Sequence, residues 1–367
     1  MTEDELNARA EAHAAEIART LRVSAEKIIA RIDAEKDKGA RIDFLAISGG
    51  GDRGAFGASF LLSWGSAPGE WKRPDFDVVT GVSTGALIAP FAYIGADDAL
   101  REVETFYRNP QKDWVRSRGW FFFLPSNPSF VSIPGLDRDI RAAINPAFID
   151  LLAAESRKNK VLYISATDLD LGRQKFWDLG AEAERATDET GIDRVQRILL
   201  SSAAIPAVFP PVEIDEGVYA DGGITANVLL RLERRDPYSV LARWHAEHPD
   251  TPFPPVRYWI IVNNQLVQPP GTVQIRWPNI VGPSLATSVR SATIAEIRWL
   301  AAEADYVNAV FGTDIEVRVV AIPNDWRAPV VGQFQEETMR SLSDLGRQMG
   351  ADPNSWTLWT TPVDRTP

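Results

Sequence analysis

Val78-Val79-Thr80-Gly81-Val82-Ser83-Thr84-Gly85-Ala86 runs from an apolar strand through Gly-x-Ser-x-Gly into a helix start built of small residues. In this pattern a serine sits on a strained strand-to-helix turn with its hydroxyl exposed. Gly81 and Gly85 leave room beside Ser83, where a side chain would crowd the turn. The helix expected from about Thr84 points its positive N-terminal end at the same spot and favours negative charge there. Serine between glycines also occurs in ordinary loops, so the flanks decide. Asp75-Phe76-Asp77-Val78-Val79 reads as a short buried strand, and Ala86-Leu87-Ile88-Ala89 as the helix that follows.

A second glycine loop lies upstream. Ile42 to Ile47 reads as a strand, Ser48-Gly49-Gly50-Gly51-Asp52-Arg53-Gly54 as a loop, and Ala55 to Leu62 as a helix. Strand, glycine loop and helix form a layout that binds anions through backbone N–H groups. The same glycines match G-x-G-x-x-G, so a dinucleotide-binding fold is a second reading. That motif wants an acid at the end of the next strand, whereas Glu70, Asp75 and Asp77 lie before or at the start of one.

Downstream, Lys160 to Asp168 and Gln174 to Leu179 read as strands, as do Val218 to Ala220, Arg257 to Asn263 and Ile315 to Ile322. Helices are expected over Asp97 to Tyr107, from Asn145-Pro146 to about Arg157, over Asp193 to Ala204, over Thr287 to Phe311 and over about Glu336 to Gln348. This alternation predicts one α/β domain with a largely parallel sheet. Asp168 closes a strand, where a turn-capping role is expected. Asp221 ends the Val218 to Ala220 strand and is followed by Gly222-Gly223, a loop in which a carboxylate can approach another site closely. The aromatic run Gly119-Trp120-Phe121-Phe122-Phe123-Leu124-Pro125 reads first as core and second as a greasy lip near a lipid site.

The 367 residues carry a formal charge of −11, which argues against nucleic acid as a partner and against strong attraction to anionic lipid. Without cysteine there are no disulfides, thiolate metal sites or cysteine nucleophile. The N-terminus, with Glu3, Asp4 and Glu5, is not a signal peptide, and the uncharged run from Val78 to Ala96 is broken by glycines and Pro90. The chain as given is therefore expected to be cytoplasmic, with an export leader trimmed before residue 1 as the open alternative. Residues 1 to about 38 read as a helix. Leu6, Ile17 and Ile28, then Ala10, Leu21 and Ile32, recur every eleven residues with Ala14 and Ala25 between them, which makes one apolar stripe. The stripe is expected to pack on the main domain. A homodimer through this helix is the sharper alternative.

A serine hydroxyl needs a base. The chain has three histidines, His13, His245 and His248. The order Ser83, Asp221, His248 fits a hydrolase triad, and the spacing of His245 and His248 could hold a metal. Neither histidine lies among glycines at a strand end, so surface roles are the plainer reading.

Four blocks together resemble the patatin-like phospholipase family, in the order found there: Ser48 to Gly54, Gly81-Val82-Ser83-Thr84-Gly85, Ser201-Ser202-Ala203-Ala204-Ile205-Pro206-Ala207-Val208-Phe209-Pro210-Pro211, and Asp221-Gly222-Gly223. Asp168 with Gly172 looks like a weaker fifth. The resemblance covers about 41–325, leaving residues 1–40 as an amphipathic helical extension and 326–367 as a C-terminal helical extension packed on the domain. It implies a three-layer α/β/α sandwich with a mostly parallel central sheet. It also implies an acyl hydrolase with neither metal nor cofactor, acting on phospholipid or another acyl ester at a transient membrane or lipid interface. In that pattern Ser83 is the nucleophile and Asp221 the base, while Gly81 and Gly85 shape the elbow. The loop of Gly49, Gly50, Gly51, Arg53 and Gly54 forms the oxyanion hole. Asp52 departs from the pattern, because a carboxylate facing an oxyanion would oppose it. Its side chain is expected to turn away, toward Arg53. A lipid- or partner-binding module of weak or no activity is the alternative on the same fold.

Overall fold

The computed structural model describes residues 2–35, 39–117, 129, 131–206, 208–229 and 239–361. The aromatic run at 119–125 lies outside the described residues. The first elements are α1 (Glu3–Glu35), β1 (Ile42–Ile47), α2 (Gly54–Trp64), β2 (Val78–Val82), α3 (Thr84–Ile94) and α4 (Asp97–Arg108). Then come a ribbon of β3 (Arg116–Ser117) and β4 (Val131–Ser132), α5 (Pro134–Ala143), α6 (Pro146–Ser156), β5 (Val161–Asp168), β6 (Arg173–Asp178), α7 (Leu179–Arg185) and α8 (Glu189–Ser202). The rest are β7 (Val212–Ile214), β8 (Gly217–Asp221), α9 (Val240–Glu247), β9 (Val256–Gln265), α10 (Trp277–Phe311), β10 (Ile315–Ile322), α11 (Glu336–Gly350) and β11 (Thr357–Trp359).

Among the described residues nine strands form the main sheet, in the order β11-β10-β9-β1-β2-β5-β8-β7 with β6 paired to β5. The centre, β10-β9-β1-β2-β5, is parallel throughout. Both flanks are antiparallel: β11 on β10 at one end, and β6, β8 and β7 at the other. The largely parallel sheet expected from the alternation is thus a parallel centre with antiparallel flanks.

β1 and β5 are buried along their whole length, which is why they read as largely apolar runs. Alternate residues serve opposite faces. Leu45 and Ile47 of β1 join a core with Phe56, Ile88, Leu100, Leu152, Leu199 and Met339 from helices on one side. Ile42, Phe44 and Ala46 join a second core with Ile28, Leu241 and Leu300 from α1, α9 and α10 on the other. The result is three layers, α/β/α.

The apolar stripe of α1 is used within the chain, with Ala25, Ile28 and Ile32 buried. Polar side chains of α1 fasten the helix to the sheet. Arg9 pairs with Asp168 at 2.5 Å and Asp170 at 2.7 Å, Lys27 with Asp178 at 3.2 Å, and Arg31 with Asp77. Asp77 also accepts the Asp43 N–H at 2.7 Å. Asp75 to Asp77 therefore precede β2 rather than opening it. The helix expected from Thr287 begins at Trp277 instead, with a proline in its first turn and Pro283 inside. Among the described residues no helix is long and apolar enough to cross a membrane.

α11 lies along α2 because its glycines admit backbone contact: a Cβ on Gly346 would strike the Phe56 carbonyl, and one on Gly350 the Phe60 carbonyl. Gly346→Val is expected to destabilise the fold by about 1–3 kcal/mol through this overpacking. Urea unfolding followed by circular dichroism checks it; an unchanged midpoint would mean that the two helices are not in backbone contact.

Candidate active site

β2 ends at Val82, and Ser83 turns the chain into α3 with φ 55° and ψ −124°. A non-glycine residue in this region carries strain of about 1–3 kcal/mol and persists only where its surroundings fix it. Here they do. The Ser83 N–H donates to the Ser202 hydroxyl at 2.9 Å, and that hydroxyl donates to the Ser165 carbonyl at 2.5 Å. The Ser83 carbonyl accepts the Ala86 N–H at 2.9 Å. Gly85 presses on β1, where a Cβ would strike the Ile47 carbonyl, and a Cβ on Gly81 would strike the Gly85 carbonyl. The Thr84 hydroxyl meets the phenol of Tyr107, and Gly54 sits against both.

Asp221 closes β8. Its N–H donates to the Ala204 carbonyl at 2.9 Å, and its own carbonyl accepts the Thr167 hydroxyl at 2.9 Å. Two donors reach its carboxylate: the Gly223 N–H at 2.8 Å and the Ser83 side chain. Burial pushes this carboxyl up to about 6, and the two hydrogen bonds only partly oppose the shift. The structure thus brings Ser83 and Asp221 together from segments far apart in the chain.

The glycine loop closes the third side. A Cβ on Gly49 would lie 3.0 Å from the Ser83 Cβ and 2.5 Å from Asn227 Oδ1, and one on Gly50 would strike the Asn263 carbonyl. Gly51 has φ 62° and opens the short 3-10 turn Gly51–Arg53. Two amides of the loop are engaged: Gly49 N–H with the Asn227 carbonyl and Arg53 N–H with the Gly50 carbonyl, both at 3.3 Å.

Asp52 does not pair with the Arg53 guanidinium as expected. Its carboxylate accepts the Phe334 N–H at 2.9 Å and the backbone N–H groups of Asp52 and Arg53, while burial raises its pKa. The Arg53 guanidinium goes to Asn264 on β9. The cause is local: a 3-10 turn folds the carboxylate back on its own amides, and the extended arginine side chain reaches past it.

Three residues make contacts that no motif in the sequence points to. Ser202 was part of a motif block, but that block did not reveal its bridge to Ser83. Asn227 donates to the Thr293 hydroxyl at 2.8 Å, and Glu296 accepts the Val228 N–H at 3.1 Å and the Asn227 N–H. These contacts hold the turn after Asp221 against α10. Burial pushes Glu296 up to about 7. Nothing in sequence spacing links Asn227 to residues more than sixty positions on.

The other sequence candidates lie elsewhere. Asp168 caps its turn, accepting the Asp170 and Leu171 N–H groups at 3.1 and 3.0 Å. His13 meets the Gln174 carbonyl at 3.0 Å, His245 meets the Leu241 carbonyl at 3.0 Å, and His248 stacks on Trp244. An apolar pocket opens on Ser83, walled by Leu87, Phe106, Tyr107, Phe209 and Phe334. A second apolar pocket shares Leu87, Phe106 and Tyr107 and extends to Ile140, Ile144 and Leu199.

The family described as patatin-like phospholipase matches residues 45–232. A cGAMP-activated phospholipase from Pseudomonas aeruginosa is 26% identical over 189 residues, 50% of this chain and 53% of that protein. The match thus spans about half the length of that relative. The crystal structure of VipD from Legionella pneumophila is similar with a TM-score of 0.38 at 12% identity, over 87% of this chain and 68% of that one.

The raised carboxyl has a stability consequence. A folded-state pKa near 6 against an ordinary aspartate value of 3.8 means that the proton favours the folded state. This contribution is complete below about 3.8 and lost as pH rises through about 6. Asp221→Asn removes the buried charge, so it is expected to stabilise the fold by about 1–3 kcal/mol at pH 8 and by little at pH 4. Thermal melts at the two pH values check this. A variant less stable at pH 8 than the parent would show that the carboxylate is well solvated.

Proposed function

The chain belongs to the patatin-like phospholipase family, and from that premise we propose that it is a serine acyl hydrolase that releases fatty acid from phospholipids or other acyl esters. The observation that carries this reading is the Ser83 hydroxyl hydrogen-bonded to a buried carboxylate whose pKa lies near 6. An ordinary aspartate is a poor base at neutral pH. Burial moves Asp221 closer to the operating pH and makes it a stronger proton acceptor.

In this mechanism Asp221 takes the Ser83 proton as Oγ attacks the ester carbonyl carbon. The carbonyl π electrons move onto oxygen, and the amides of Gly50 and Gly51 receive the oxyanion, because those of Gly49 and Arg53 are already engaged. Each such donor is worth about 3 kcal/mol in the transition state. Collapse breaks the ester C–O bond, and the departing alcohol takes the proton from Asp221. Water, deprotonated by Asp221, then attacks the acyl-Ser83 carbonyl. Loss of Oγ, which recovers the proton, frees the fatty acid. The two apolar pockets suit the acyl chain: one opens beside Ser83, and the two share three walls.

Treatment with a fluorophosphonate is expected to add one adduct by intact mass, mapping to Ser83 and absent in Ser83→Ala. No adduct on the parent, with or without lipid, would overturn the hydrolase reading. The relative's name makes cGAMP a necessary arm of the assay. For a responsive ester, kcat/KM is expected to rise with pH through about 6 and then level as Asp221 ionises. Asp221→Asn should lower it by about 10²–10⁴-fold. A flat profile from pH 4.5 to 8 would name another base.

A further inference from the structure

From Thr251 to Ala295 the chain carries no aspartate or glutamate, although these make up 50 of its 367 residues. This acid-free stretch includes β9, the loop after it and the first half of α10. Every residue from Ile280 to Ser288 is exposed, so the start of α10 stands clear of the body. The twelve residues from Trp277 to Ser288 would span roughly 18 Å as a helix. Exposed apolar side chains gather here: Val273, Ile280, Val281, Leu285 and, at 95% exposure, Ile275. A soluble surface rarely keeps such a cluster without a use.

The cluster is tied to the candidate active site. β9 and β10 are parallel to β1 and β2, so the loops after them leave the same edge of the sheet as the Ser83 turn. The two exit loops are laced together: Val267 N–H donates to Asn324 Oδ1 at 2.9 Å, and Gln265 Nε2 to the Pro323 and Trp326 carbonyls. The second loop carries Val331, 95% exposed, and three residues on it carries Phe334, which walls the pocket on Ser83. Apolar exposure therefore runs from the projecting helix to the pocket.

We propose that this rim, the start of α10 with the loops after β9 and β10, is the surface by which the protein seats on a lipid bilayer. Insertion of its apolar side chains brings the Ser83 pocket to the interface. The inference rests on the hydrolase reading for its purpose but not for its test. Charge singles out this face of the molecule. A chain of net charge −11 is repelled by phospholipid phosphates wherever carboxylates crowd, and this stretch offers none while carrying Arg276 and Arg290 beyond β9; the loop after β10 adds Asp325 and Arg327, which offset each other. Its helix lies on the membrane rather than crossing it, since no described helix is long and apolar enough to span one.

The experiment is co-sedimentation with phosphatidylcholine vesicles containing a minor share of phosphatidylglycerol. It compares the parent, Ser83→Ala and the double variant Ile280→Asp/Leu285→Asp. Parent and Ser83→Ala are expected to sediment alike, and the double variant about tenfold less or lower still. Hydrolysis of a short soluble ester by the double variant should match the parent. A parent that stays in the supernatant, or a double variant that sediments as the parent does, overturns the proposal. So does light scattering that finds the parent dimeric and the double variant monomeric, because the face then joins two copies. Vesicle binding without any hydrolysis leaves this proposal standing and removes the hydrolase reading; ester hydrolysis without vesicle binding does the reverse.

Discussion

The backbone at Ser83 is held at a positive φ, and much of the site's geometry follows from what holds it there. One strained residue costs about as much as one or two good hydrogen bonds. Three other segments supply the restraint: β1 through the Ile47 carbonyl against Gly85, α8 through Ser202, and β5 through Ser165. The register of β1 on β2 pairs Ile47 with Gly81, so both strands end together and their exit loops lie side by side. The glycine loop and the Ser83 turn are neighbours because of that register. The narrowness of the space between them then dictates glycine at positions 49 and 85.

Five acids show two kinds of partner. Asp77, Asp168 and Asp178 each have a cation from α1, namely Arg31, Arg9 and Lys27. An ion pair compensates part of the cost of burying a carboxylate, and these three fasten the helix to the sheet. Asp221 and Glu296 instead receive neutral donors: the Ser83 hydroxyl and Gly223 amide for one, the Asn227 and Val228 amides for the other. Both are pushed up, to about 6 and about 7, because burial outweighs those bonds. They flank the same turn, from Asp221 to Val228. Asp77 and Asp178 are raised as well despite their cations, so what sets Asp221 and Glu296 apart is that their partners are neutral, a serine hydroxyl among them.

Much of this was legible in the sequence for a physical reason. Strands buried on both faces show as apolar runs, and tight turns show as glycines, so β1, β2, β5 and the two glycine loops could be read directly. Asp221 was legible through the glycines behind it. What could not be read depends on partners. β7 and β11 are three residues each and owe their existence to β8 and β10, so no periodicity marks them. The antiparallel flanks have the same origin. The first ten residues of α10 contain two prolines, and those from Ile280 on are exposed, which reads as loop. The Asn227, Thr293 and Glu296 contacts join distant segments, and spacing carries no trace of them.

A parallel sheet has a further consequence for the site. All its strands leave by one edge, so every exit loop competes for the space above Ser83 or borders it. β1, β2 and β5 fill that space with the glycine loop, the serine turn and the start of the antiparallel flank. β9 and β10, the outer pair, have no such duty, yet their exits stay attached to it through Arg53 on Asn264 and Asp52 on the Phe334 amide. Those two side chains come from the glycine loop itself. The end of β9 and the loop after β10 are thus tied to the same 3-10 turn by two defined contacts, through its middle residue Asp52 and its last residue Arg53. The departure from the family pattern at Asp52 has a physical role in that light. Its carboxylate accepts the Phe334 N–H and so anchors the outer rim of the site to its inner loop.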